Sequence, residues 1–221
     1  MKVMDMDSVA VLASGGLDSA ILVSDLAQDN QVFPVYVQNG LLWEADELRS
    51  LIQFLDAVGN PNLQSVTVLS IPVNQLYGDH WSLSGVEIPN ENDPDEMMYL
   101  PGRNVLLISV AAIWCVSHGI QRLALGSLLG NPFPDATPEF FGGFAHLLSV
   151  ALKTKLEIST PYRGIGKHQL IDKFWHLPLE LTLTCISPKN GVHCGRCNKC
   201  HERRLAFGRS KLRDLTIYVE P

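Results

Sequence analysis

The sequence predicts an α/β protein built on a doubly wound parallel sheet, with a small C-terminal zinc-binding segment. Three observations carry that prediction. Near-continuous apolar runs of strand length alternate with stretches of helical periodicity, the pattern of parallel strands buried on both faces. The first apolar run ends in a glycine turn, SGGLDS at residues 14–19, placed to open a helix. Four cysteines near the C-terminus follow the spacing C-x8-C-x2-C-x2-C. The 221 residues suit one domain or one domain with a small appendage. With 46% hydrophobic and 18% charged residues the chain can fill a core.

Taken in order, residues 8–13 (SVAVLA) read as the first strand and 17–28 as the helix after the turn. Residues 31–38 and 64–71, rich in Val and Ile, read as strands separated by a helix over 43–58. The stretch 78–102 is polar, acidic and punctuated by Pro, Asn and Gly. It is too long for a plain connection, so it reads as an active-site lid, a mobile insertion or a solvated loop. Residues 103–118 follow a Pro-Gly pair as an apolar helix, too short to span a bilayer. A strand over 122–127, helices over 138–153 and 167–176, and a strand over 181–185 complete the pattern. In such sheets ligands bind at the C-terminal ends of the strands, where the strand order reverses. The glycine turn is expected there.

That turn has the makings of an anion site. Gly15 and Gly16 allow close backbone approach, and the following helix offers unpaired N–H groups and a positive dipole end. Ser14 and Ser19 add hydroxyls. The Walker loop is excluded because no Lys-Ser/Thr pair follows the last glycine, and the dinucleotide fingerprint because there are only two adjacent glycines.

The net charge of −6 argues against a large polynucleotide partner but not against a small basic nucleotide pocket. The N-terminal stretch has no apolar signal core and no Arg-rich pattern, so a cytoplasmic protein with no membrane segment is expected. In that compartment Cys185, Cys194, Cys197 and Cys200 read as a closed tetrahedral Zn²⁺ site of structural type, pinning the C-terminal segment to the sheet edge. An iron–sulfur cluster or a redox dithiol are the rival readings. Arg196, Lys199, Arg203 and Arg204 are placed to ease the thiolate charge, and His193 and His201 read as exposed loop histidines. Cys115 reads as a core residue.

Strand, SGGLDS and helix together resemble the pyrophosphatase (PP) loop of the N-type ATP pyrophosphatases, which split ATP between the α and β phosphates and pass AMP to an acceptor. That resemblance implies a Rossmann-like sheet of the HUP, or adenine nucleotide alpha hydrolase-like, type. It implies that Ser14, Gly15, Gly16, Leu17, Asp18 and Ser19 bind ATP at its pyrophosphate, with Mg²⁺ offsetting the charge. The loop, the cysteines in CGRCNKC at 194–200 and three further segments resemble the 7-cyano-7-deazaguanine synthase family: PGRN at 101–104, PDATPEFF at 134–141 and TPYRGIGKHQLI at 160–171. The likeness runs from residue 9 to about 207.

The family resemblance implies a two-stage reaction. The carboxylate of 7-carboxy-7-deazaguanine is adenylated, ammonia displaces AMP to give an amide, and a second activation and dehydration gives the nitrile. It implies Asp18, Ser19, Arg103 and Lys167 as the catalytic set, with the two cations on the phosphates. A lysine is not what a helix N-terminus prefers, which favours a ligand role for Lys167. Asp135 and Glu139 are implied near the acceptor, although Glu139 could instead serve the first turn of the helix that Pro138 opens. Residues 1–184 would form the ATP pyrophosphatase domain and 185–221 the four-cysteine zinc segment packed on it. The family tends to be dimeric.

Two segments depart from the family. YVQNGLLWEADEL, after the second strand, lacks the Arg and His of the family's Y-G-Q-R-H. SLLGNPF at 127–133 lacks the Asp and Tyr of its D-Y-S-G-Y. A paralogue that adenylates a different carboxylate therefore stays open. More distant are a tRNA-thiolating enzyme and a zinc-stabilised nucleotide-binding module without turnover.

Overall fold

In the computed structural model, which describes residues 6–219, β1 (Ser8–Leu12) lies at the centre of a five-stranded sheet. β2 (Gln31–Gln38) pairs on one side of it, with β3 (Thr67–Ser70) beyond. β4 (Arg122–Leu125) pairs on the other side, with β5 (Glu157–Ser159) beyond. Every pairing is parallel. Residues 1–5 of the N-terminal stretch read above lie outside the described residues.

The order β3-β2-β1-β4-β5 reverses between β1 and β4. From β1 the chain winds to one edge through α1 (Leu17–Leu26) and α2 (Glu44–Val58). It passes two short helices, α3 (Asn74–Tyr77) and α4 (Trp81–Ser84), and returns through α5 (Arg103–Ser117) to β4. It then continues through α6 (Pro138–Ala151) to β5. Right-handed crossovers in opposite directions put α1 and α2 on one face and α5 and α6 on the other. Side-chain alternation along β1 follows: Val9 and Val11 pack with α1 and α2, while Ala10 packs with α5 and α6. Both faces are covered, which is why the central strands are apolar throughout. α7 (Lys167–Lys173) and α8 (Asn198–Arg209) join the first face, with Leu170, Ile171, Ala206 and Phe207 in the same buried cluster as Leu22 and Phe54.

Three expectations change. Residues 181–185 are not a strand. A 3-10 turn, Leu179–Leu181, leads into an irregular crossing segment whose backbone is used elsewhere. The Leu183 N–H donates to the Gly15 carbonyl at 2.7 Å, and the Arg203 guanidinium donates to the Leu179 carbonyl and the Thr182 hydroxyl, both at 2.8 Å. The fifth strand is β5 instead, three residues flanked by polar sequence and too short to show a period. The cysteine segment does not sit at the sheet edge. It lies over the C-terminal ends of the strands, packed with Leu41, Trp43, Trp81 and Leu100.

The stretch 78–102 is fastened to that segment. Trp81 stacks on Trp43 with centroids 5.7 Å apart, and Asn198 donates to the carbonyls of Pro89 and Asp93 at 3.1 and 3.2 Å. Among the described residues no helix is long and apolar enough to cross a membrane.

Candidate active site

The turn between β1 and α1 is closed by its own serines. Ser19 Oγ accepts from the Ser14 N–H at 3.0 Å and donates to the Ser14 carbonyl at 2.9 Å, while Ser14 Oγ accepts from the Gly16 N–H at 3.2 Å. Gly15 is required sterically, since a Cβ there would stand 2.3 Å from the backbone carbonyl oxygen of Glu47 on α2. The loop after β4 is equally close, and a Cβ on Gly126 would stand 3.0 Å from the Asp18 backbone. The turn thus sits at the reversal point, as the sequence predicts for it.

Charged groups from three elements meet above it. Lys167, at the first position of α7, lies 3.2 Å from Asp18 Oδ2 and 2.5 Å from Glu202 Oε1 on α8. Lys199 holds the other Glu202 oxygen at 2.7 Å. Burial works to lower the Lys167 pKa, but Asp18 and Glu202 outweigh it and hold the ammonium charged. Burial likewise pushes Glu202 up, and Lys167 and Lys199 outweigh it to bring the carboxyl down to about 2. At Asp18 burial wins and raises the pKa despite Lys167. Its Oδ1 is buried without a hydrogen-bond partner among the described residues.

Two cavities flank the loop. The larger, about 410 Å³, is lined by Asp18, Lys167, Lys199 and Glu202 on one side and by Trp43, Trp81, Met98, Leu100 and Phe133 on the other. The smaller, about 240 Å³, runs under the loop past Tyr36, Asn104, Leu107 and Phe141. Ser14, Glu47, Arg103 and Ser127 line both. Arg103 starts α5, and its Nε is buried without a hydrogen-bond partner among the described residues, as is Ser127 Oγ. Glu47 Oε2 accepts from the Tyr36 hydroxyl at 2.8 Å. Burial above all, against Arg103 and the Tyr36 hydrogen bond, pushes Glu47 up to about 7.

Of the residues singled out in the sequence, Ser14, Gly16, Leu17, Asp18, Ser19, Arg103 and Lys167 line the larger cavity, with Gly15 buried behind them. Asp135 and Glu139 line neither cavity. Asp135 is buried with Oδ2 accepting from the Asn104 N–H at 3.0 Å, which caps the start of α5. Glu139 is exposed in the first turn of α6, the alternative that its position after Pro138 had left open. Sequence reasoning missed Glu47, Tyr36 and Glu202. The signal for Glu47 was present: three acids crowd the first turn of α2, and Glu44 is taken up by the N–H groups of Asn39 and Gly40 at 2.6 and 2.9 Å.

The four cysteine sulfurs lie within 4.8 Å of one another and all four residues are buried. The Cys185–Cys197 and Cys194–Cys200 separations are both 3.9 Å. Four thiolates at the usual zinc–sulfur bond length stand about 3.8 Å apart, so the donor set fits a tetrahedral ion. Backbone N–H groups of Ser187, Cys194, Cys197 and Cys200 point at sulfurs at 3.3–3.4 Å, which favours the thiolate form. His193 is buried rather than exposed. Its Nε2 accepts from the Thr184 N–H at 3.2 Å, and burial first, then Arg203, brings its pKa down to about 3. Arg203 is buried as the anchor of the crossing segment.

With this geometry in view, known proteins bear on the chain as follows. It is 28% identical over 210 residues to 7-cyano-7-deazaguanine synthase 1 of Desulfitobacterium hafniense, covering 92% of this chain and 93% of that one. It is 28% identical to the 7-cyano-7-deazaguanine synthase of Methanopyrus kandleri, over 97% of this chain and the whole of the other. A solved structure, the predicted subunit of a tRNA methyltransferase from Methanocaldococcus jannaschii, aligns with a TM-score of 0.48 at 17% identity over 74% of this chain and 72% of that chain, too loosely to bear on fold or function. The family model described as queuosine biosynthesis protein QueC matches residues 8–211, and the chain belongs to that family.

Proposed function

We propose that the protein is an ATP-dependent ligase that converts 7-carboxy-7-deazaguanine and ammonia to 7-cyano-7-deazaguanine, through an acyl adenylate and an amide, releasing AMP and pyrophosphate. The observation that carries this reading is the convergence of the Ser14–Ser19 turn, Lys167 and Arg103 on one cavity, in a chain whose curated relatives are named for that product. A carboxylate is a poor electrophile, and adenylation gives it a leaving group. The protein's part is then to align the two reactants and to stabilise charge on the phosphates. In this reading the turn holds the pyrophosphate end of ATP, Arg103 meets phosphate oxygens with its unpartnered Nε, and Lys167 exchanges a carboxylate partner for phosphate. Asp18 would share a Mg²⁺ with the phosphates through its unpartnered oxygen, and that ion would offset charge there. The four cysteines would hold a structural Zn²⁺. We assign residues 1–184 to the catalytic domain and 185–221 to the zinc segment.

A second reading keeps the adenylation and changes the acceptor. It is favoured by the apolar wall of Trp43, Trp81, Met98, Leu100 and Phe133, and by the position of Asp135 and Glu139 away from both cavities. One assay separates the two. Purified protein is incubated with ATP, Mg²⁺, ammonium and 7-carboxy-7-deazaguanine, and AMP, pyrophosphate and the deazaguanine product are followed by mass. Nitrile supports the first reading, and AMP formed only with another carboxylate supports the second. No AMP with any acceptor overturns both.

A further inference from the structure

The groups assigned so far bind and polarise, yet amide formation also requires a group that accepts a proton from the incoming nitrogen. Lys167 and Arg103 are cations, the Ser14 and Ser19 hydroxyls are bonded to each other's backbone or side chain, and Asp18 faces Lys167. Glu202 is locked between two lysines. Glu47 is the carboxylate among them that combines three features. It lines both cavities, so it stands at their junction beside the loop. Its backbone carbonyl presses on Gly15, which fixes its distance from the turn. Tyr36 holds Oε2 at 2.8 Å, which orients the carboxylate.

We infer that Glu47 binds the ammonium ion at the junction of the two cavities and is the proton acceptor for nitrogen attack on the acyl adenylate. This rests on the ligase reading above. Ammonium gives one proton to the Glu47 carboxylate. The freed nitrogen lone pair forms the new C–N bond. The bond from the acyl carbon to the AMP oxygen breaks, and AMP leaves with that electron pair. The second nitrogen proton goes to the departing phosphate. The groups facing Glu47 are Tyr36 from β2, Arg103 from α5 and Glu44 from its own helix. Their balance with burial leaves the carboxyl near 7, where a general base works best at neutral pH.

The test compares two rates in the full chain at pH 7. ATP–pyrophosphate exchange with 7-carboxy-7-deazaguanine reports adenylate formation, and amide formation from ammonium reports nitrogen attack. Both are measured again in Glu47→Gln and with hydroxylamine, a nucleophile that is unprotonated at this pH and needs no base to free its lone pair. The expected result is a fall in amide formation on the order of 10²-fold beyond any fall in exchange. Hydroxamate formation is expected to stay within about tenfold of the unmodified protein, since only the base-dependent factor is lost. Equal losses in exchange and in both nucleophiles overturn the inference. If Glu47→Gln does not fold, Tyr36→Phe decides. Losing the hydrogen bond that favours the carboxylate must move the acidic limb of amide formation to higher pH, and an unmoved limb overturns the inference. No exchange in the unmodified protein sinks the ligase reading and the inference with it. Exchange with parallel losses sinks the inference alone.

Discussion

The Glu47→Gln substitution also makes a prediction about stability, independent of any substrate. Glutamine keeps the shape of the side chain and can still accept from the Tyr36 hydroxyl, so the change isolates the charge. The carboxyl moves from an ordinary 4.5 to about 7 on folding, so the folded state holds its proton more tightly than the unfolded chain. Stability therefore falls as pH rises from 4.5 to about 7, and the loss is complete above that. At about 1.36 kcal/mol per pKa unit the full effect is about 3 kcal/mol, of which about 2 kcal/mol develops between pH 5.5 and 8. Glu47 borders two cavities that admit solvent, which reduces the expected difference to about 1–2 kcal/mol. The assay is urea unfolding of both proteins at pH 5.5 and 8 with zinc held constant. Glu47→Gln should gain stability relative to the parent, and gain more at pH 8. An equal offset at the two pH values would refute the reasoning, because Glu47 would then be an ordinary carboxylate.

Asp18→Ala should abolish AMP formation and leave the metal content unchanged, read by product mass and by metal analysis of the same sample. Gly15→Ala should cost about 2–3 kcal/mol in urea unfolding, because the new Cβ meets a backbone carbonyl at 2.3 Å. Gly16→Ala, whose Cβ would find its nearest neighbour in the Ser14 side-chain Oγ at 3.1 Å, should cost under about 1 kcal/mol. Chelation should lower the melting temperature by on the order of 10 °C, since α8 and the crossing segment depend on the four sulfurs for their place. Asp135→Ala should cost about 1–2 kcal/mol through the lost cap of α5 without raising the KM for the carboxylate substrate.

How much of this was legible in the sequence depended on the range of the interaction. The central strands and the helices α1, α2, α5 and α6 announce themselves by local period, and the SGGLDS turn by its place after β1. The cysteines carry their own spacing. Residues 181–185 looked like a strand because their apolar content is real. What decides their path is remote, the Gly15 carbonyl and Arg203, and no local pattern contains it. At Asp135 a carboxylate before a helix suits both reading a ligand and capping. Only the neighbouring start of α5 settles which N–H it serves. His193 beside a cysteine cluster looked exposed because loops usually are. The chain instead folds it under Tyr218 and onto Thr184.

The cysteine cluster and the nucleotide loop read as separate sites in the sequence, and Glu202 joins them. It lies two residues beyond Cys200 on α8, so whatever fixes the cysteines fixes its carboxylate, which in turn holds Lys167 against Asp18. A partly buried ion pair of this kind stabilises little on balance, because desolvation and residual solvent screening offset the attraction. Its value lies in position. The charges of Asp18 and Glu202 are matched by those of Lys167 and Lys199 before any ligand arrives. A polyphosphate therefore cannot be received by Lys167 alone, since each new anionic contact there must displace a carboxylate. In the proposed function Arg103, whose Nε is unpartnered across the cavity, would supply the attraction that makes the exchange favourable. Under the proposed ligase function the two cations would then have different tasks: Arg103 would bring the phosphate in, and Lys167 would respond to it from a position set by the cysteine-bearing segment.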